Sequence, residues 1–166
     1  MEFQVSWATA IILIAVAAAH IAEETVARFR EFFNMEWFTG NEDCPVTRFK
    51  GLVVDKIGLF LFLAAFAAAG AVYDGRVMFI AVGIILADLV QHAVFSIGKK
   101  SYTPGVATSA AYLAYVVYFF GYSESRHLLN DPLAWVAMVA GAAFIAGNYW
   151  IARRKVQRGD CQLAIA

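Results

Sequence analysis

The chain has 166 residues, of which 61% are hydrophobic and 16% charged, against roughly 45–50% and about 25% in soluble domains. A chain this short cannot bury so much apolar surface in one soluble core, which argues against a soluble domain and for lipid as the solvent. The 13 basic and 13 acidic side chains cancel, so no charge excess points to a nucleic-acid partner. One integral membrane domain over residues 1–166 is expected.

A helix needs about 20 apolar residues to cross the hydrocarbon core. The first candidate span is 4–22. The apolar run that contains it starts with Met-Glu, lacks a basic region and ends without a small-residue cleavage site, so it reads as a retained span. Residues 26–38 then mix Arg28, Arg30, Glu31 and Glu36 with Phe29, Phe32, Phe33, Trp37 and Phe38. That mixture fits an amphipathic helix in the membrane interface, or a loop whose aromatics pack on the bundle. The second span is 51–73, with Asp55 and Lys56 near its start. Asp74-Gly75-Arg76 forms a tight turn, and the third span follows at 77–98. The fourth is 106–122 and the fifth 133–152. The expected fold is therefore all-α, a polytopic bundle of about five transmembrane helices with a possible interfacial helix after the first.

Loop charges set the orientation. Eleven Lys and Arg residues fall on the side of the first connection, the third connection and the tail; Arg76 and Arg126 fall on the other. The N-terminus is expected outside and the C-terminus in the cytoplasm of a prokaryotic cytoplasmic membrane. Cys44 and Cys161 then face a reducing compartment, which disfavours a bridge between them.

Ionisable residues inside spans are costly and point to function. His20, Glu23 and Glu24 end the first span. Spacings of three and four place both carboxylates on the face of the imidazole. Asp88, Gln91 and His92 sit inside the third span, with Asp88 facing both partners. The first and third spans run in the same direction, so the two histidines arrive near the cytoplasmic end together. Asp55, Tyr102, Asn148 and Tyr149 fall at a similar depth, whereas the outer halves read as nearly bare of polar groups. His127 lies in the outer loop, on the wrong side to join.

The order His20-Ile21-Ala22-Glu23-Glu24, then His92, then Tyr102-Thr103-Pro104-Gly105 resembles the HXXEE family of small bacterial and archaeal membrane proteins. The likeness runs from residue 6 to residue 150. It implies a shared role for His20, Glu23, Glu24, His92, Tyr102, Pro104 and Gly105, without saying what that role is. A weaker likeness joins Glu23-Glu24-Thr25-Val26-Ala27-Arg28 to the Glu-Glu-x-x-x-Arg motif of CAAX-prenyl-protease-like intramembrane proteases. There the position before the later histidine is Phe, and here it is Asp88.

These residues point to a metal-dependent membrane enzyme. His20, His92, Glu23 and Glu24 are the expected ligands of a divalent metal, zinc ahead of iron. Glu24, Asp88 and Tyr102 are the expected catalytic groups: whichever of Glu23 and Glu24 does not ligate acts as base, Asp88 as ligand or support for a ligand, and Tyr102 as donor to an oxyanion. The expected reaction is hydrolysis of a lipid, isoprenoid or lipid-linked substrate reached from the cytoplasmic leaflet. The competing classes are a non-haem iron oxidase or desaturase, an intramembrane protease, a small ion or metal transporter, and a metal-free scaffold.

Overall fold

The computed structural model describes residues 4–27, 52–100 and 102–157. The interfacial-helix reading falls mainly on residues 28–38, and these lie outside the described residues, as do Cys44 and Cys161. The side chains of Asp55, Lys56 and Tyr149 are likewise outside them.

The described residues form five α-helices and one short 3-10 turn, with no strand among them. The helices are α1 (Trp7–Val26), α2 (Leu52–Val72), α3 (Gly75–Lys99), α4 (Val106–Ser125) and α5 (Pro132–Gln157). The turn is Leu128–Asn130. Helix α1 runs four residues beyond the expected end of the first span. The extra turn carries Glu23 and Glu24 as helical residues rather than as a frayed end. α1 and α3 are long and apolar enough to cross a membrane; α2 and α5 contain shorter apolar stretches, Ile57–Val72 and Pro132–Asn148.

Local chemistry explains the boundaries. Ser6 caps α1, its Oγ accepting from the Thr9 N–H at 3.2 Å, which satisfies one of the free donors of a first helical turn. Asp74 does the same for α3, accepting from the Arg76 N–H at 3.0 Å. The expected three-residue turn is thereby shortened, because Gly75 is already helical. Pro132 opens α5, where its missing N–H costs nothing. Lys100 ends α3 in the left-handed region at φ 51°.

The connections make successive helices antiparallel. The Val5 N–H donates to Gly70 O at 3.0 Å and Gln4 Nε2 to Val72 O at 2.8 Å, so α1 starts where α2 ends. The Ser6 N–H donates to the Tyr122 hydroxyl at 2.9 Å, placing the end of α4 there too. Arg76 at the start of α3 reaches Asp131, just before α5, at 3.3 Å. α1, α3 and α5 therefore run in one direction, and α2 and α4 return.

The core joins Leu13 of α1, Leu63 of α2, Phe79, Val82 and Ile85 of α3 and Phe119 of α4, all fully buried or nearly so. The Phe79 and Phe119 rings meet edge to face at 4.9 Å, a favoured aromatic arrangement. α3 and α5 touch backbone to backbone: a Cβ on Gly83 would collide with Met138 O, and one on Gly141 with Ile80 O. Large aliphatic side chains face outward on every helix, among them Ile11, Leu61, Val90, Val117 and Val139. The N-terminal end of α1 is not bare of polar groups, contrary to the sequence expectation. Thr9 is fully buried, and its Oγ1 pairs with Ser6 Oγ at 2.7 Å and with the Tyr118 hydroxyl at 3.0 Å. Short hydroxyls and tyrosines carry no charge, so the hydropathy pattern hid them.

Candidate metal centre

The opposite end of the bundle gathers the end of α1, the last turns of α3 and the start of α4. His20 and Glu24 lie one turn apart on α1, and Asp88 and His92 one turn apart on α3. Because α1 and α3 are parallel, the two pairs meet at the same level. The imidazole centroids are 5.0 Å apart at 76°. One ligand atom from each of His20, Glu24, Asp88 and His92 lies within 4.8 Å of all the others. His20 Nε2 is 2.9 Å from Asp88 Oδ2 and 3.8 Å from Glu24 Oε1. His92 Nε2 is 3.4 Å from Glu24 Oε1 and 3.8 Å from Asp88 Oδ1.

Both histidines and Glu24 are buried, while the Asp88 side chain keeps 17% of its surface accessible. Two carboxylates in a buried pocket repel one another, and desolvation adds to the cost. A divalent cation between them offsets both terms. The donor set, two imidazoles and two carboxylates, suits zinc or iron. The residues therefore fit a divalent metal.

Glu23 goes elsewhere. Expected as a ligand, it turns to the first turn of α4. Its Oε1 accepts from the Gly105 N–H at 3.1 Å, from the Ala107 N–H at 3.3 Å and from the Tyr102 hydroxyl. Its Oε2 accepts from the Thr108 N–H at 2.7 Å and from Thr108 Oγ1 at 2.5 Å. The carboxylate thus caps α4 from another helix and meets its positive end. Gly105, the N-cap residue, has no side chain to do so. Tyr102, expected to meet an oxyanion, spends its hydroxyl on Glu23. That bond pushes the Tyr102 pKa up to about 12, so the hydroxyl keeps its proton at neutral pH.

The Tyr-x-Pro-Gly segment closes the centre from the α4 side. Gly105 adopts φ 93°, and a Cβ there would fall 2.5 Å from His92 Cε1 and 3.0 Å from His20 Cε1. Glycine is needed both for the backbone angle and for the space. Thr103 is buried and its Oγ1 meets Ser96 Oγ of α3 at 2.7 Å, tying the loop down.

Two contacts escaped the sequence reading. Thr108 Oγ1 lies 2.8 Å from His20 Nδ1, and the Tyr112 ring lies 4.5 Å from the His20 ring at 31°. Thr108 and Tyr112 stand three and seven residues past Gly105, a spacing that marks one helix face. That periodicity was the available signal. Gln91, expected beside Asp88, instead lines a groove between α3 and α5. Asn148 donates to Phe144 O at 2.9 Å and stays out of the cluster. His127 is exposed in the connection before α5.

A family described as "protein of unknown function with HXXEE motif" matches residues 11–119. The chain belongs to the HXXEE family. The matched span holds all four clustered residues, Glu23 and the Tyr102–Gly105 segment, and is shorter than the span over which the resemblance was read. No curated protein and no solved structure matches the chain. In this HXXEE protein the two glutamates of the motif divide their work: Glu24 faces the histidines, and Glu23 anchors α4.

Proposed function

We propose that this HXXEE protein is a membrane-embedded, metal-dependent hydrolase acting on a lipid, isoprenoid or lipid-linked substrate. The observation that carries the reading is the convergence of His20, His92, Glu24 and Asp88 from two helices into one group of donor atoms. His20, His92 and Glu24 are the ligands in this scheme. A divalent metal supplies a Lewis acid and lowers the pKa of a water molecule. Asp88, the most accessible of the four carboxylate and imidazole side chains, serves as the base. It takes a proton from water as the water oxygen bonds to the acyl carbon or phosphorus. The bond to the leaving oxygen breaks, and Asp88 returns the proton to that oxygen.

The lipid-like substrate class has two supports. Outward aliphatic side chains on all five helices suit a hydrocarbon environment. A groove of about 590 Å³, lined by Leu86, Val90, Val94, Phe95, Ile145 and Ala146, follows the same turns of α3 that carry Asp88 and His92. In this reading all five helices span a prokaryotic cytoplasmic membrane, with the centre near the cytoplasmic leaflet.

A second reading is favoured by the number of donors. If Asp88 also ligates, four protein groups close a tetrahedral zinc site. A six-coordinate iron would keep two open positions, as oxidative chemistry requires.

Metal analysis of protein purified without chelators decides between them. Near-stoichiometric zinc, retained in Asp88→Asn with loss of lipid-ester cleavage in phosphatidylglycerol vesicles, supports the hydrolase. Iron lost in Asp88→Asn favours the second reading. No divalent metal in the wild type, after reloading with either ion, overturns both.

A further inference from the structure

Thr108 has one hydroxyl proton and three polar neighbours, of which the Gly105 carbonyl, an acceptor only, is the farthest at 3.3 Å. Glu23 Oε2 lies 2.5 Å from its Oγ1, and His20 Nδ1 lies 2.8 Å away on the other side. Three backbone N–H groups donate to the Glu23 carboxylate and favour its ionised form, which can only accept. It therefore accepts from Thr108 as well. With its proton directed at Glu23, Thr108 Oγ1 has only lone pairs to offer His20. A lone pair there requires a proton on Nδ1.

We infer that Thr108 is a positioning residue that holds His20 as its Nδ1–H tautomer, with Glu23 as the terminal acceptor of a Glu23–Thr108–His20 relay. In a neutral imidazole the other nitrogen is then a bare acceptor. That nitrogen, Nε2, is the one beside Asp88 and Glu24. It stands 2.9 Å from Asp88 Oδ2 without forming a hydrogen bond. A bare nitrogen and a carboxylate oxygen this close, with no proton shared between them, repel one another, and a cation held by both offsets the repulsion. Histidines that hold metals commonly donate their second N–H to an oxygen acceptor that fixes ring orientation and tautomer. Here the acceptor is a hydroxyl whose own orientation is set by a glutamate on the histidine's helix.

The inference rests on the metal reading of the centre and gives Glu23 a part in it without contact with the ligand atoms. Thr108 lies outside the three motifs that mark the family resemblance. The relay also couples two events: the α4 cap and the His20 tautomer form together, because both use Glu23 Oε2.

Nitrogen NMR of protein with 15N-labelled histidine, purified metal-free in micelles, reads the tautomer directly. His127→Gln and His92→Gln variants assign the His20 signals. The expected wild-type result is His20 protonated at Nδ1, shifting to a mixture in Thr108→Val and returning in Thr108→Ser. Zinc titration of the same samples should show affinity falling about 10–100-fold in Thr108→Val and staying within a few-fold of wild type in Thr108→Ser. A wild-type His20 protonated at Nε2 overturns the relay, even if Thr108→Val fails to fold. Unchanged tautomer and affinity in a folded Thr108→Val overturn it too. A wild type that binds no zinc, yet shows the Thr108-dependent Nδ1–H signature, upholds the relay and removes the metal reading alone.

Discussion

Gly105 shows how tightly single residues are held at this centre. Its φ of 93° disfavours any side chain, and the nearest atoms to a new Cβ are both imidazoles. Replacing a positive-φ glycine by alanine costs more than about 1 kcal/mol when the native angle is kept. Gly105→Ala should therefore lower the melting temperature and displace His92. It should also weaken zinc binding more than an equally destabilising core variant such as Leu63→Ala. Parallel thermal melts and zinc titrations check this; equal binding by Gly105→Ala and wild type would contradict it. His92→Ala should abolish metal uptake while leaving helix content unchanged by circular dichroism. A variant with full metal content would remove His92 from the ligand set. At the other end, the Arg76 guanidinium holds the Asp74 carboxyl below its usual value of 3.8. A depressed carboxyl pKa adds stability above the unfolded value and loses it as pH falls through the folded one. Asp74→Asn should melt earlier than wild type at neutral pH. The difference should shrink progressively below pH 3.8, as melts across an acid series would show.

At the scale of elements, contact between α3 and α5 depends on Gly83 and Gly141, whose backbones touch the opposite helix. Helices in lipid gain little from the hydrophobic effect against each other and rely on close packing instead. Gly141→Leu or Gly83→Leu should destabilise the bundle by about 1–3 kcal/mol or more through overpacking, measured by denaturant unfolding in micelles. Zinc affinity should change less than stability, because Gly83 and Gly141 lie more than a turn from Asp88 and His92. The spacing Ala137-x-x-x-Gly141 is legible in the sequence as a small-residue pattern that permits close helix contact. Its partner is not, since any Ala-rich helix offers such patterns. Glu23 makes the same point for α4. Helical spacing placed it correctly on the His20 side of α1, but spacing could not say that the first turn of α4 would claim its oxygens.

For the whole molecule, the alternation of helix directions brings the ends of α1 and α3 together with the start of α4. The charge bias of the loops predicts that this end faces the cytoplasm. Cys44 and Cys161 lie on the same predicted side. A membrane-impermeant maleimide should label neither in intact cells and both after lysis. Labelling from outside would overturn the orientation and, with it, access from the cytoplasmic leaflet.

Composition and helical spacing alone determined an all-α chain and paired His20 with Glu24 and Asp88 with His92, since residues four apart on one helix are neighbours wherever the helix packs. Even the meeting of the two pairs was legible, from counting reversals of direction. The division of labour between Glu23 and Glu24, the turning away of Tyr102 and the entry of Thr108 were decided only by tertiary structure. They depend on which side of α1 the first turn of α4 occupies, and that is a property of packing between distant segments rather than of any local run of residues.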